Sequence, residues 1–170
     1  MRIIIIILIL QITFILCKAQ NILLDEQWEP KINKAISLVK KTDPIIFEII
    51  KTAYIQAGEI SCKQMTAFAQ IEYRYNKEIP WIMIDREALN GFDYKMIASI
   101  LIHESWHLKL WYHEGGKNWG NMTEQEQKAE HSFIFNYQIA FLQKVNAPES
   151  DIYYYKTLMN QLGIQLNKSK

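Results

Sequence analysis

The sequence predicts a mainly helical α+β fold, with a small antiparallel β-hairpin or sheet beside one long apolar helix. Apolar residues recur at three- and four-residue steps over most of the chain, which is the period of an α-helix. Between residues 66 and 84 the period becomes two, which is typical of strands. A third observation is that the pentapeptide HESWH, residues 103–107, lies within a mostly apolar predicted helix.

The first residues of the chain have the features of an export signal. Arg2 provides a positive start, residues 3–16 form an apolar run, and small residues stand three and one places before a cut after Ala19. A helix made of this run would be about 21 Å long, which is short of the roughly 30 Å apolar core of a bilayer. We therefore expect a signal peptide at 1–19 and a single domain at 20–170.

The expected destination is the periplasm or the cell exterior, without a stable membrane span. Lipid anchoring through Cys17 is less favoured, because the bulky Leu16 directly before it fits a lipoprotein signal poorly. Since Cys17 leaves with the signal, Cys62 then has no partner for an intrachain disulfide.

Composition and charge narrow the class of protein. Hydrophobic residues make up 49% of the chain and charged residues 22%, values that exclude a disordered chain and a polytopic membrane protein. Loss of the signal removes the two positive charges of Arg2 and Lys18 and no negative charge, so the formal net charge changes from +1 to −1. A near-neutral chain without a basic cluster argues against nucleic acid as a partner.

Two amphipathic helices are expected before the hairpin. Residues 28–39 carry an apolar stripe at helical spacing, and Pro30 suits a first helical turn. Asp43 is placed as the N-cap of the next helix, with Pro44 as its first residue. Apolar residues at helical spacing extend this second helix to Gly58. We expect both helices to serve as scaffold.

The hairpin is expected from two runs separated by a polar turn. Residues 66–74 alternate along the chain, and residues 80–84, PWIMI, are rich in β-forming side chains. The intervening residues 76–78, NKE, supply the turn.

The next helix is expected to be buried in the core and to contain three polar residues that could form a metal site. It opens at Asp93, contains no proline or glycine, and ends at Gly115 and Gly116. His103 and His107 are four residues apart, so both imidazoles project from one face and can reach one metal ion. Glu104 lies about 100° further round the helix, where a carboxylate can sit beside the metal position without binding it.

Two further helices complete the predicted fold. Thr123 starts a helix that extends to about Val145, and residues 149–162 form the last helix before Gly163. The buried face expected for the first of these helices is formed by Ala129, Phe133, Tyr137, Ala140 and Phe141.

HESWH resembles the H-E-x-x-H motif of the zincin metallopeptidases, and the layout after it resembles the gluzincin branch of that group. The resemblance covers residues from about 66 to 142 and implies a zincin-like domain that binds Zn²⁺ through His103 and His107, with Glu104 as the catalytic base. It also implies a third ligand on the following helix, and an edge strand, either 81–85 or its partner, that pairs with an extended substrate.

Two glutamates of the following helix compete for the place of third ligand. In gluzincins a ligand glutamate is followed one turn later by an acid that orients a ligand histidine, which would make Glu126 the ligand and Glu130 the partner of His103. However, Thr123 and Glu126 also form a capping-box pattern, whereas Glu130 falls on the face expected to be buried. We therefore favour Glu130 as the third ligand, with Glu126 as the close alternative.

Two residues outside that helix pair are weaker candidates. His113 completes a metzincin-like spacing, but Leu110 stands where that motif has the glycine that lets the chain turn back. Cys62 lies upstream of the motif, as in peptide deformylases, but lacks their surrounding sequence and is better explained as a small buried thiol. His131 is expected to be a satisfied helix residue that could also donate to a reaction intermediate.

The expected function is that of an exported zinc metallopeptidase acting on a peptide or protein substrate. The alternative is a non-catalytic exported helical protein, with structural zinc or no metal, that acts as an interaction module. An intact Glu104 disfavours this alternative, because a structural zinc site does not need an acid there. A closed site with four ligands that included His113 would favour it.

Overall fold

A computed structural model of the chain describes residues 22–23, 26–59, 68–72, 79–117 and 119–164. The helices are α1 (Glu29–Thr42), α2 (Pro44–Ile50), α3 (Arg86–Gly91), α4 (Tyr94–Leu108), α5 (Glu124–Lys144) and α6 (Glu149–Gln161). The strands are β1 (Ile22–Leu23), β2 (Tyr54–Gly58), β3 (Ala69–Glu72) and β4 (Trp81–Asp85). Helix α4 continues as a π-helical turn (Lys109–His113), and Trp119–Asn121 form a 3₁₀ turn. This architecture confirms the mainly helical α+β prediction.

The four strands form one mixed sheet in the order β1-β2-β4-β3. Strand β4 pairs antiparallel with β3, as the hairpin prediction required, and parallel with β2 on its other side. The predicted turn at 76–78 and the signal peptide at 1–19 lie outside the described residues. The parallel pairing of β1 with β2 and of β2 with β4 was not predicted.

The prediction that the second helix reaches Gly58 was wrong, because residues 54–58 form strand β2. Helix α2 ends at Ile50, where the Thr52 hydroxyl donates to the Ile49 carbonyl at 2.7 Å. The residues of β2 then alternate between half-buried and buried, and the Tyr54 ring stacks on Trp81 of β4 at 4.8 Å. Pairing with a strand distant in sequence therefore outweighs the helical spacing.

The start of α2 is as predicted. Pro44 is its first residue, and the Asp43 carboxylate accepts a hydrogen bond from the Ile46 backbone N–H at 3.1 Å. The Tyr137 hydroxyl of α5 donates to the other oxygen of Asp43, so the cap of α2 is tied to a distant helix. Helix α6 also has its predicted position, and Gly163 follows it with a φ of 65°.

Helix α4 is the centre of the core. It packs against α1, α2, α5 and β3, and its largest fully buried side chains are Met96, Ile97, Leu101, Ile102 and Leu108. Its N-cap is Asp93, as predicted, whose carboxylate accepts from the backbone N–H groups of Lys95 at 2.8 Å and Met96 at 2.9 Å. None of the helices in the described ranges has the length and apolarity needed to cross a membrane.

Helix α5 begins at its predicted capping box but presents a different face to the core. Of the five residues predicted to be buried, only Phe141 is; Phe133 is 44% exposed and packs edge-on against Trp106 at the rim. The buried residues are instead His131, Ile134, Phe135, Gln138, Ile139, Phe141 and Leu142. The prediction was wrong because Ile134, Phe135, Ile139 and Leu142, and not Phe133 and Tyr137, are apolar residues of α5 that are buried. This rotation brings His131 and Gln138 inward.

Candidate metal centre

Three histidines converge between α4 and α5. His103 and His107 lie one turn apart on α4, and α5 contributes His131. Their ligand nitrogens all lie within 4.8 Å of one another, and the Nε2 atoms of His103 and His107 are 3.1 Å apart. The three imidazoles therefore cluster where a metal ion could bind.

Each of the three rings has its Nδ1 atom against an oxygen acceptor. These contacts are His103 Nδ1 to Gln138 Oε1 at 2.8 Å, His107 Nδ1 to Glu130 Oε1 at 2.6 Å, and His131 Nδ1 to the Gln127 backbone oxygen at 3.1 Å. An oxygen of this kind accepts, so each ring donates its proton from Nδ1. The neutral ring then carries its lone pair on Nε2, the nitrogen that can bind a metal.

One pair of ligand nitrogens has nearly the spacing of two ligands of a tetrahedral zinc ion, while the three ligand nitrogens lie within 4.8 Å of one another. Zinc–nitrogen distances of about 2.0–2.1 Å at tetrahedral angles place two ligand nitrogens about 3.3–3.4 Å apart. The observed 3.1 Å between the Nε2 atoms of His103 and His107 is close to this value. Two lone pairs at such a distance repel each other, and a cation between them removes the repulsion.

Burial keeps the three rings in the neutral form that binds metals. It holds the pKa of His103 well below its usual range, and the nearby His107 and His131 add to the effect. The pKa of His107 is lowered by burial and by His131 in the same way. Burial also lowers the pKa of His131, although the Gln127 carbonyl and Glu130 oppose this. Neutral imidazole is the ligand form for zinc.

Glu104 lies beside this cluster as an isolated buried carboxyl group. It is only 6% exposed, and burial raises its pKa to about 8. Within the described ranges no protein group makes a hydrogen bond to it. A carboxyl group in such surroundings is costly, and it becomes less so when a cation lies nearby. Its position on α4 is the one the motif predicted.

Glu130 is hydrogen-bonded to His107 and not to His103. Its carboxylate accepts from His107 Nδ1 and from the Trp111 indole, whose Nε1 lies 3.0 and 3.1 Å from the two oxygens. The Trp111 ring stacks on His107 at 4.5 Å, which is made possible by the π-helical turn after α4. Burial raises the pKa of Glu130, partly offset by the Trp111 hydrogen bond. In the gluzincin-like alternative Glu130 would orient His103, but Gln138 is the residue at His103 Nδ1.

Glu126 performs the capping role that the sequence offered as its second explanation. Its Oε2 accepts from the Thr123 backbone N–H at 2.8 Å, while Lys117 donates to its Oε1 at 2.6 Å. The Lys117 hydrogen bond, followed by those of Thr123, lowers the pKa of Glu126 to about 2. This surface carboxylate is not part of the histidine cluster.

His113, one of the two weaker candidates, stands apart from the cluster. His113 is exposed at the end of the π-helical turn, with its Nε2 3.3 Å from the Thr52 hydroxyl. The chain stays helical at Leu110, whose carbonyl accepts from the Gly116 N–H at 2.9 Å, so it does not turn back toward the metal position. Cys62 lies outside the described residues.

Comparison with models of known protein families finds no match, and comparison with curated protein sequences finds none either. The resemblance to zincins therefore stays a prediction from the HESWH motif.

His131 was missed as a candidate ligand. The sequence did contain a usable signal, because His131 and Gln138 lie seven residues apart and share the stripe of Ile134, Phe135 and Leu142. A pair of polar residues within an otherwise apolar stripe indicates a buried polar site. The prediction did not use this pattern, because Phe133 and Tyr137 were expected to form the buried face of α5.

Proposed function

We propose that the protein is a zinc-dependent hydrolase of peptide or amide bonds, with His103, His107 and His131 as its metal ligands. The observation that carries this proposal is the convergence of three imidazoles, whose ligand nitrogens lie within 4.8 Å of one another and whose Nδ1 atoms each face an oxygen acceptor. On this proposal His131 replaces Glu130 and Glu126 as the third ligand, and Glu130 orients His107.

Three protein ligands are the number that favours catalysis. Catalytic zinc sites have three protein ligands and one open position, whereas structural sites are closed by four. In the part of the chain that the structure describes, no fourth histidine, cysteine or carboxylate joins the cluster. Glu104, buried and adjacent in sequence to a ligand, supplies the acid–base group that a structural site does not use.

The chemistry is divided between the metal and the chain. When bound, zinc would supply Lewis-acid chemistry, polarising a substrate carbonyl and making water more acidic. Glu104 then accepts the proton of the attacking water and returns it to the leaving amine. The positive charge of the metal favours the ionised form of Glu104 and so opposes the burial that raises its pKa.

The sheet suggests where an extended peptide would lie. Strand β4, one of the two strands expected to pair with substrate, has neighbours on both sides and has no free edge. Strand β3 is an outer strand of the described sheet and packs against α4. We therefore propose that the outer edge of β3, beside which the described residues place no strand, pairs with the backbone of the substrate.

The test of catalysis is Glu104→Gln, assayed on a mixed peptide library by mass spectrometry. We expect the wild-type protein to cleave peptides, to lose activity with a chelator and to regain it with zinc. The variant should lose at least about 10²-fold in rate, the lower end for a lost general base, while retaining its zinc. Cleavage by the variant at the wild-type rate would remove Glu104 from the mechanism, and a wild-type protein that binds zinc without cleaving would favour a structural site.

A further inference from the structure

A buried glutamine completes the environment of the first histidine. Gln138 lies on α5, two turns after His131, and is 1% exposed. Its Oε1 is 2.8 Å from His103 Nδ1, and its Nε2 donates to the Ser99 carbonyl of α4 at 2.9 Å. Both ends of the amide are therefore bonded, which offsets the cost of burying it.

The Ser99 contact fixes which way the amide points. A backbone carbonyl can only accept, so the amide nitrogen must face Ser99 and the amide oxygen must face His103. An oxygen at that position requires the His103 proton on Nδ1. The Ser99 carbonyl of α4 thus determines, through Gln138, which nitrogen of His103 carries the proton, and His103 lies one turn further along the same helix.

Tyr155 of α6 lies on a third side of the glutamine and is 2% exposed. Burial raises the pKa of Tyr155, and hydrogen bonds with Ser99 and Gln138 oppose this. The Ser99 hydroxyl itself donates to the Met96 carbonyl at 2.8 Å and lies 3.1 Å from the Tyr155 hydroxyl. The amide is therefore bordered by α4 and α6.

We propose that Gln138 is a positioning residue that keeps the His103 proton on Nδ1 and so leaves Nε2 free to bind the metal. The metal part of this proposal rests on the proposed function. The proton position does not, because it is a property of the metal-free protein.

The first test is the tautomer of His103, read from long-range ¹H–¹⁵N spectra of the metal-free protein. The chain has four histidines, so each ring can be assigned by substitution. We expect the wild-type ring to carry its proton on Nδ1. Gln138→Met removes the acceptor at similar volume and should shift the proton toward Nε2, whereas Gln138→Glu retains an oxygen acceptor and should retain Nδ1–H.

The second test is zinc affinity, measured by competition with a chromophoric chelator. Loss of an orienting partner should weaken binding about 10–100-fold in Gln138→Met and no more than a few-fold in Gln138→Glu. Ser99→Ala is the matched control, since it also removes a buried polar group but leaves the amide–imidazole contact. It should leave both the tautomer and the affinity unchanged.

The outcomes separate the two proposals. An unchanged tautomer and affinity in Gln138→Met, or an equal effect of Ser99→Ala, would overturn the role of Gln138. If Gln138→Met does not fold, Gln138→Asn is used instead, because its shorter side chain moves the amide oxygen away from His103 Nδ1. An unchanged tautomer and affinity in this variant would likewise overturn the role of Gln138. A wild-type protein that takes up no zinc would end the proposed function, while the tautomer spectra would still decide whether Gln138 sets the proton position.

Discussion

At the scale of single residues, the carboxylate of Glu130 links the metal centre to the turn that follows α4. It accepts hydrogen bonds from His107 and Trp111, and its side chain is only 8% exposed. A charged acceptor strengthens the hydrogen bond from Nδ1 and makes the opposite nitrogen a better ligand.

We predict that Glu130→Gln weakens zinc binding by about tenfold or more. Oε1 of Glu130 accepts from both His107 Nδ1 and Trp111 Nε1, so the single amide oxygen of a glutamine would have to take that place. The NH₂ group would then face the Trp111 N–H at the position of Oε2, and the His107 hydrogen bond would lose its charged acceptor. Glu126→Gln is the matched control, because that exposed side chain caps α5 without touching a histidine. A competition titration that finds zinc affinity reduced by Glu126→Gln and not by Glu130→Gln would support the gluzincin ligand assignment instead.

A second residue-scale prediction concerns Tyr137, whose hydroxyl donates to the Asp43 carboxylate. Tyr137→Phe should lower the free energy of unfolding by about 1 kcal/mol at pH 7, the usual value of one such hydrogen bond. Burial, and then Asp43, raises the pKa of Tyr137 above its ordinary value. The contribution is therefore fully present below the unfolded-state pKa of about 10 and is lost as the pH rises through the higher folded-state pKa.

Urea unfolding of the metal-free wild type and the phenylalanine variant at several pH values measures this. The difference between the two proteins should be largest up to about pH 10 and shrink above it. A difference that grows at alkaline pH would mean that the hydroxyl is not held protonated by Asp43.

At the scale of elements, the π-helical turn places Trp111 over His107, and Gly116 closes it. A Cβ atom at Gly116 would lie 2.6 Å from the Leu110 carbonyl oxygen, so a side chain there must displace backbone. We predict that Gly116→Ala lowers the free energy of unfolding by about 1–3 kcal/mol, the usual cost of overpacking. It should also reduce zinc affinity, because Trp111, which donates to Glu130 and stacks on His107, moves with the turn.

Gly91→Ala is the control for this prediction. A Cβ atom at Gly91 meets nothing within 4 Å, so the substitution should change stability by no more than about 0.5 kcal/mol. Denaturant unfolding and a zinc titration of both variants provide the comparison. Equal behaviour of the two alanine variants would show that the turn does not depend on the close approach at Gly116.

Local signals in the sequence predicted most element boundaries. The caps at Asp43, Asp93 and Thr123 were correct because each depends on a side chain bonding to its own neighbours. Strand β2 was not, because its partner Trp81 lies far along the chain and its apolar residues also fit a helical period. Local periodicity cannot register a pairing that forms only in the tertiary fold.

The same limit explains what was and was not predicted of the candidate site. His103, Glu104 and His107 were identified from one helix, since residues four apart share a face by geometry alone. The place of His131 depends on how α5 is rotated against α4, which is determined by packing. Because Phe133 and Tyr137 were expected to be buried, the wrong face of α5 was predicted to face the core. Glu130 lies on that predicted face and was therefore favoured as the ligand.

At the scale of the whole molecule, the candidate centre is built where two core helices cross. Helix α4 supplies His103, Glu104 and His107 from within the core, and α5 supplies His131 together with the acceptors that orient all three rings. A site made of only these two helices needs their relative position to be kept. Gln138, bonded to Ser99, and Tyr137, packed against Trp106, provide contacts between the two helices.

The most direct test of the account is zinc content by elemental analysis of the purified protein after reconstitution. Wild-type protein and the Glu126→Ala variant should each hold about one zinc per chain, as expected for a single tetrahedral site, and His131→Ala should hold little. Full zinc content in His131→Ala, or none in the wild type, would contradict the three-histidine centre.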